Sequence, residues 1–107
     1  MKMKSGLFLL VVLLLFTGNA LSDPDPNFYI FLCFGQSNMD GAGRIEEQDK
    51  TVDERFQVLA TLDNLGMSRK KGNWYPAIPP LCRPTGGLGP ADYFGRTMVV
   101  SLPKEIR

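Results

Sequence analysis

The stretch Phe28-Tyr-Ile-Phe-Leu-Cys-Phe-Gly-Gln-Ser-Asn-Met-Asp-Gly41 decides which fold this sequence can adopt. Its apolar run ends at Gly35, and Ser37 follows in a short polar segment. A continuous apolar run predicts a strand buried on both faces, as in a parallel sheet packed between helices. Ligands of such sheets bind where the carboxyl ends of the strands open into loops. We therefore expect a strand over residues 28–34 and place Ser37 where chemistry would occur.

The composition fits one small globular unit and excludes several classes of function. The chain has 107 residues, of which 44% are hydrophobic and 21% are charged, and its formal net charge is +1. This near-neutral balance argues against nucleic acid or an acidic membrane surface as the main partner. The sequence contains no histidine and no close cysteine pair. We therefore predict no metal site and no cofactor.

The first residues have the features of an export signal. Lys2 and Lys4 precede the apolar run 7–16, and small residues stand at Ala20 and Ser22. The apolar run is short for a bilayer span, which leaves an uncleaved anchor as the less favoured alternative. The predicted organisation is a signal peptide at 1–22, a proline-stiffened linker at 23–27 and the amino-terminal portion of a domain at 28–107. The mature protein would then be secreted or periplasmic, without membrane contact.

Weaker patterns follow the serine. Residues 40–54 indicate a surface loop, and the alternation of Phe56, Val58 and Ala60 predicts a second strand. The basic turn 66–73 carries Arg69-Lys70-Lys71, a cluster that is usually a solvated loop. Residues 74–84 contain four prolines and are expected to be irregular and extended.

The last predicted element is a helix that starts at Pro90. Proline is favoured in the first turn of a helix, and Asp92 would lie near the positive end of the helix dipole. Pro103 would end the helix, and the next strand of an α/β alternation would begin at 104–107. The apolar residues at helical spacing, which should face the sheet, are Ala91, Phe94, Met98 and Leu102.

Several single residues allow two interpretations. Cys33 and Cys82 form a disulfide if the protein is exported, or Cys33 is a free thiol that fills a buried strand. Trp74 stacks on a sugar or closes the edge of a small core. Ser37 is a nucleophile that needs a base and an oxyanion hole, or it caps a short helix. The glycine two residues after the serine in an α/β-hydrolase elbow is absent.

A family resemblance favours the catalytic interpretation of Ser37. The run Phe31-Leu-Cys-Phe-Gly-Gln-Ser-Asn-Met39 with Gly41 resembles the first motif of sialate O-acetylesterase-like SGNH hydrolases, especially the acetylxylan esterases of carbohydrate esterase family six. Arg55-Phe-Gln-Val58, Trp74-Tyr75 and Gly87-Leu-Gly-Pro-Ala91 with Phe94 follow in a similar order. The resemblance covers residues 28–107. It implies a three-layer α/β/α, flavodoxin-like fold with a parallel sheet, of which this chain is the amino-terminal part.

The resemblance also implies a site and a substrate. Ser37 matches the nucleophile, and its own N–H would be one oxyanion donor. Gly89 is the favoured second donor, with Gly87 as the alternative. Gln36 and Asn38 would support the turn or contact the substrate. The expected partner is an acetylated carbohydrate.

The chain differs from the family pattern because it lacks the general base of the catalytic site. The family's later asparagine donor and its Asp-x-x-His segment are both absent. Since loss of the base costs several orders of magnitude in rate, we expect a truncated secreted acetylesterase that is inactive alone. The alternative is a non-catalytic secreted relative, or pseudogene product, that binds carbohydrate.

Overall fold

A computed structural model describes residues 22–107 of the protein. The predicted signal peptide therefore lies outside the described residues, apart from Ser22. Within residues 22–107, no helix combines the length and the hydropathy needed to cross a membrane.

This part of the chain is a small α/β unit. β1 pairs antiparallel with β2, and Val58 stands opposite Tyr75. The predicted second strand is confirmed, since β1 lies within the alternating segment. The helices, strands and 3₁₀ turns, in chain order, are α1 (Ser37–Asp40), a 3₁₀ turn (Glu47–Lys50), β1 (Gln57–Leu59), a 3₁₀ turn (Leu65–Met67), β2 (Trp74–Pro76) and α2 (Pro90–Ser101).

The apolar stretch 28–34 is not buried, so the prediction of a strand covered on both faces is wrong for this chain. Ile30, Leu32 and Phe34 are 69%, 87% and 86% exposed. No helix or turn interrupts residues 28–35, but the stretch has no strand partner along its length. The physical reason is the absence of neighbours, because a strand becomes buried only when other elements cover its faces and edges.

α2 begins and ends where the sequence predicts. Pro90 is its first residue, and the Asp92 carboxylate accepts a hydrogen bond from Gly89 N–H at 2.8 Å. The fully buried side of the helix carries Asp92, Gly95 and Val99 rather than the predicted apolar series. That series faces the stretch 28–36 instead, and the Phe94 ring lies 5.3 Å from the ring of Phe31.

Polar and charged side chains form a large part of the buried interior among the described residues. The buried hydrophobic residues are Ala60, Ala77, Val99 and Ile106, and the buried polar or charged residues are Asp49, Asn64, Arg69 and Asp92. A core this small depends on hydrogen bonds, because an unpaired buried polar group costs about 1–3 kcal/mol.

The expectation that the basic turn 66–73 is a solvated loop is wrong for Arg69. Its side chain is 5% exposed, and burial lowers the pKa of its guanidinium. The guanidinium donates hydrogen bonds to the carbonyl oxygens of Pro76, Ile78 and Pro80, at 3.1, 2.6 and 2.9 Å. Arg69 thereby holds the proline-rich segment against the turn before β2.

A second polar cluster joins the loop after α1 to α2. The Asp49 carboxylate accepts hydrogen bonds from Tyr93 Oη at 2.7 Å and from Glu46 N–H at 2.8 Å. The Tyr93 hydroxyl is the main reason why the pKa of Asp49 is lowered. Arg96 donates to the carbonyl oxygens of Thr51, at 2.7 Å, and Asp49. These bonds fix the amino-terminal half of α2.

Candidate active site

Ser37 stands at the point where the apolar stretch turns into α1. It is the first residue of this short helix, and Gln36 is the residue that precedes it. The Gln36 carbonyl oxygen accepts hydrogen bonds from Met39 N–H at 2.9 Å and Asp40 N–H at 3.0 Å. No side chain makes a capping hydrogen bond at this helix, so Ser37 does not act as a cap. The Ser37 residue is exposed.

The start of α1 leaves two N–H groups unengaged. The first N–H groups of a helix have no acceptor inside the helix. Among the described residues, neither Ser37 N–H nor Asn38 N–H donates a hydrogen bond. Ser37 N–H is one of the predicted oxyanion donors. Asn38 N–H was not singled out from the sequence, although its position one residue into a short helix is the signal that would have found it.

The backbone of the serine turn interlocks with the glycine motif before α2. Gly87 N–H donates to the Gly41 carbonyl oxygen at 2.8 Å. Gly43 and Leu88 form an antiparallel bridge, with N···O distances of 3.0 and 2.8 Å. Gly41 has φ = +95°, and a Cβ placed there would lie 2.6 Å from the Gly87 carbonyl oxygen. Only glycine fits at Gly41, because a side chain would be both strained and too close.

The two glycines predicted as oxyanion donors are brought next to the serine turn. A Cβ at Gly89 would lie 2.9 Å from the Met39 carbonyl oxygen, which shows how closely the backbones approach. Both N–H groups already have acceptors within the chain, since Gly87 donates to Gly41 and Gly89 donates to Asp92. An oxyanion role for Gly89 therefore requires its N–H to be shared with Asp92 or released by it. The assignment stays a prediction.

Asp92 is the side chain that accepts the hydrogen bond of the Gly89 N–H. The side chain is 1% exposed, and its Oδ1 has no hydrogen-bond partner among the described residues. Burial raises the pKa of Asp92, while the Gly89 N–H opposes that shift. The carboxylate thus fixes the glycine motif at the start of α2 without contacting Ser37 in the described structure.

Gln36 and Asn38 flank Ser37 as predicted, but they contribute differently. Gln36 supports the turn through its backbone carbonyl group. The Asn38 side chain is exposed and makes no hydrogen bond within the described part of the chain. The Asn38 side chain therefore does not hold the turn, and its contact with a substrate stays a prediction.

Trp74 lies at the other end of the apolar stretch from Ser37. Its ring packs edge-on against Phe28, with 4.9 Å between the ring centroids, and its side chain is 39% exposed. Ser37 lies nine positions after Phe28, which corresponds to about 30 Å because no helix or turn interrupts residues 28–35. The structure therefore does not bring Trp74 next to the predicted nucleophile.

The proline-rich segment places a charged pair beside α1. Arg83 forms a salt bridge with Asp40, the last residue of α1. A hydrogen bond to the Asp40 carboxylate raises the pKa of the neighbouring Cys82 thiol. Cys33 and Cys82 are both free and exposed, so the structure contains no disulfide between them, and Cys33 does not fill a buried strand.

A cavity of about 790 Å³ separates the apolar stretch from the rest of the unit. Its lining includes Ser37 and Trp74, together with Val58 of β1 and Phe94 of α2. Within residues 22–107, no group of three or more His, Cys, Asp or Glu side chains lies close enough together to hold a metal ion. The polar side chains at the cavity include the Ser37 hydroxyl, the Cys33 and Cys82 thiols and the Asp40 carboxylate.

Comparison with known proteins identifies the family of the chain. The family model described as carbohydrate esterase, sialic acid-specific acetylesterase, matches residues 27–106. This range contains the serine turn, the glycine motif and α2. No solved structure matches the chain. Since the match covers most of the sequence, the chain belongs to the carbohydrate esterase family of sialic acid-specific acetylesterases.

Proposed function

We propose that this chain supplies the nucleophile of an exported carbohydrate O-acetylesterase, with Ser37 attacking the acetyl carbonyl group. Family membership indicates an esterase that acts on an acetylated carbohydrate. The observation that carries the assignment to Ser37 is its exposed position at the start of α1, next to unengaged N–H groups and the glycine motif. Such N–H groups are suited to stabilise an oxyanion as negative charge develops.

The substrate that we favour is a neutral acetylated sugar, such as the acetylated xylose units of xylan. A sialic acid carries a carboxylate, which binding sites usually meet with an available cation. Each arginine that lines the cavity is paired with a carboxylate, namely Arg83 with Asp40, Arg55 with Asp53 and Arg107 with Asp25. This pairing supports a neutral sugar over an acidic one.

We propose that the general base comes from another polypeptide segment, because this sequence contains no histidine, the base that the family resemblance implies. We propose that the chain is the amino-terminal part of an esterase domain and is inactive alone. The base would lie in the histidine-bearing segment, the part of a family member's domain that follows the region matched by residue 106 and contains the Asp-x-x-His sequence. This segment would also supply the later asparagine donor.

The missing histidine also supports a second candidate, a secreted carbohydrate-binding relative without catalysis. In that case the exposed part of Trp74 would contact sugar, and Ser37 would have no chemical role. The two candidates differ in what the Ser37 hydroxyl contributes. Binding alone needs no acyl-enzyme, whereas ester hydrolysis by a serine hydrolase does.

Acetate release from acetylated xylan tests the proposal. Residues 22–107 are mixed with the histidine-bearing segment, and Ser37→Ala is compared with Ser101→Ala, which changes an exposed serine in α2. We expect Ser37→Ala to lower kcat by about 10⁴-fold or more, as for other serine nucleophiles. Ser101→Ala should leave the rate unchanged.

Three outcomes would count against parts of this proposal. Equal acetate release by the wild type and Ser37→Ala would exclude Ser37 as the nucleophile. A higher kcat/KM for an O-acetylated sialic acid than for acetylated xylan would exclude the neutral-sugar preference. Sugar binding to residues 22–107 without acetate release from the mixture would favour the non-catalytic candidate.

A further inference from the structure

One buried carboxylate near the candidate site has only one of its two oxygens paired. The Asp92 side chain is 1% exposed, and its Oδ2 accepts the Gly89 N–H at 2.8 Å. Its Oδ1 has no hydrogen-bond partner among the described residues. An unpaired buried acceptor costs free energy, and a neutral amide side chain can accept the same N–H in a capping box. The charge and the second oxygen of Asp92 are therefore not needed to cap α2.

The groups around Asp92 leave its charge without a direct partner. Arg96, one turn later in α2, attracts the carboxylate, and Asp49 repels it. The two terminal nitrogens of Arg96 donate instead to the carbonyl oxygens of Thr51 and Asp49, and its buried Nε has no partner among the described residues. Tyr93, a further ionisable neighbour, donates its hydroxyl to Asp49 Oδ1. Burial is therefore the main influence on the carboxylate, and it raises the pKa of Asp92.

The hydrogen bond of Asp92 leads towards the serine turn. Its donor, Gly89, approaches that turn so closely that a Cβ on it would lie 3.2 Å from Gly41 Cα. Gly87 N–H donates to the Gly41 carbonyl oxygen at 2.8 Å, and Gly41 N–H donates to the Ser37 carbonyl oxygen at 3.1 Å. A short series of backbone contacts thus joins the carboxylate to the backbone of Ser37.

The two protonation states of Asp92 differ in how firmly they hold the Gly89 N–H. An ionised carboxylate accepts a charge-assisted hydrogen bond, which is about twice as strong as one to a neutral acceptor. A protonated carboxyl group accepts more weakly and carries an O–H donor of its own. Ionisation of Asp92 therefore tightens the glycine motif, and protonation loosens it.

We propose that Asp92 is a positioning residue of the candidate active site, whose carboxylate sets the geometry of the serine turn through the Gly89 N–H. This inference rests on the proposed function for the chemical role of Ser37, whereas the coupling itself is observable without hydrolysis. The ionised carboxylate holds the glycine motif against the serine turn. Loss of the charge shifts the backbone around Ser37 through the glycine motif.

Amide chemical shifts in a pH titration test this coupling. The full chain is labelled with ¹⁵N, and spectra are recorded from about pH 3 to about pH 8, a range that spans carboxyl titration. We expect the amide shifts of Gly89, Gly41 and Ser37 to move with one common midpoint, above the ordinary carboxyl value of about 3.9 because the titrating group is buried. Asp92→Asn should abolish this midpoint at all three amides. Glu105→Gln, which changes an exposed carboxylate after α2, should leave it in place.

Two results of the titration would overturn the proposal. If Gly89 alone follows the titration of Asp92, while Ser37 and Gly41 do not, the carboxylate caps α2 and has no influence on the serine turn. If the common midpoint persists in Asp92→Asn, another carboxyl group is its origin.

A second pair of variants separates the hydrogen-bond acceptor from the shape of the side chain. Asp92→Asn keeps an oxygen acceptor for the Gly89 N–H, whereas Asp92→Leu keeps a branched side chain and removes the acceptor. We expect amide exchange at Gly89 and Gly41 to be about tenfold faster in Asp92→Leu than in Asp92→Asn, the equivalent of roughly one lost hydrogen bond. Equal exchange in the two variants would contradict the positioning role. If Asp92→Leu fails to fold, the pH titration of the wild type and Asp92→Asn still decides.

Acetate release by the mixture with the histidine-bearing segment distinguishes this inference from the proposed function. A common midpoint without acetate release would leave the coupling in place and reject the esterase assignment. Acetate release without the common midpoint would reject the coupling alone.

Discussion

Residues 28–36 and residues 41–106 distribute apolar and charged side chains in opposite ways. In the first region Ile30, Leu32 and Phe34 are exposed, although no charge interrupts the stretch. In the second region Asp49 and Arg69 are buried. The second region pairs most of its buried polar groups internally, with Asp92 Oδ1 and Arg96 Nε as exceptions, whereas the first has few partners of its own. Exposure of apolar residues here reflects missing neighbours rather than a surface function of each residue.

The largest effect on stability is expected from a substitution that disrupts the packing of residues 41–106. A Cβ at Gly95 would lie 2.0 Å from Phe56 Cε2, so Gly95→Leu forces the ring out of place. We expect a loss of about 3 kcal/mol in the free energy of unfolding, at the upper end for overpacking. Urea unfolding followed by Trp74 fluorescence would measure it. Gly66→Leu is the matched control, since a Cβ there meets only Asn64 Oδ1 at 3.6 Å. Equal losses in the two variants would show that Phe56 does not limit the space.

The next largest effect on stability is expected from a substitution that removes the hydrogen bonds of Arg69. Arg69→Met keeps much of the side-chain length but leaves the carbonyl oxygens of Pro76, Ile78 and Pro80 without their donor. We expect a cost of about 2 kcal/mol, typical of buried groups left unpaired. The exposed neighbour provides the control, and Lys70→Met should change stability by less than about 0.5 kcal/mol. If Arg69→Met unfolds at the wild-type urea concentration, the interior does not depend on this guanidinium.

A smaller effect appears in the pH dependence. The Tyr93 hydroxyl and the Glu46 N–H hold the pKa of Asp49 below its ordinary value. A lowered carboxyl pKa gives stability that is present above the unfolded value of about 3.9 and is lost as the pH falls through the folded value. The stability difference between the wild type and Asp49→Asn should therefore be largest above about pH 5 and shrink below about pH 4. Unfolding curves across this range would measure it, with the exposed Asp23→Asn as control. A difference that does not vary with pH would contradict the assignment.

The smallest effect on stability is expected from a substitution in residues 28–36. Leu32 is 87% exposed, so Leu32→Ser should change the free energy of unfolding of this chain by less than about 0.5 kcal/mol. Val99, which is 7% exposed, provides the comparison, and Val99→Ala should cost about 1–2 kcal/mol. The same urea titration serves for both variants. A larger loss for Leu32→Ser than for Val99→Ala would mean that the stretch is packed in solution.

Local rules predicted the elements that local interactions determine. The start of α2 follows from Pro90 and Asp92, and β1 follows from alternating apolar residues. The burial of residues 28–34 was predicted wrongly, because it depends on neighbours rather than on the stretch itself. The burial of Arg69 was missed for a similar reason, since its acceptors lie about ten residues further along the chain and become neighbours only after folding.

The same distinction between local and long-range interactions holds for the candidate site. The position of Ser37 after the apolar stretch followed from sequence, whereas the acceptors of Gly87 and Gly89 N–H did not. Those acceptors depend on the three-dimensional approach of two turns. The role of Ser37 as nucleophile remains a prediction that the acetate-release experiment tests.

The interlock of the serine turn with the glycine motif has a consequence for the order of folding. Gly41 and Gly87 are separated by roughly 45 residues, and closing such a loop has an entropic cost that must be met before the contact is stable. Contacts between distant residues form later than helices and tight turns. We therefore expect the local geometry around Ser37 to be established late, after α2 has formed. A newly made chain would then acquire an ordered serine turn only once most of the unit has folded.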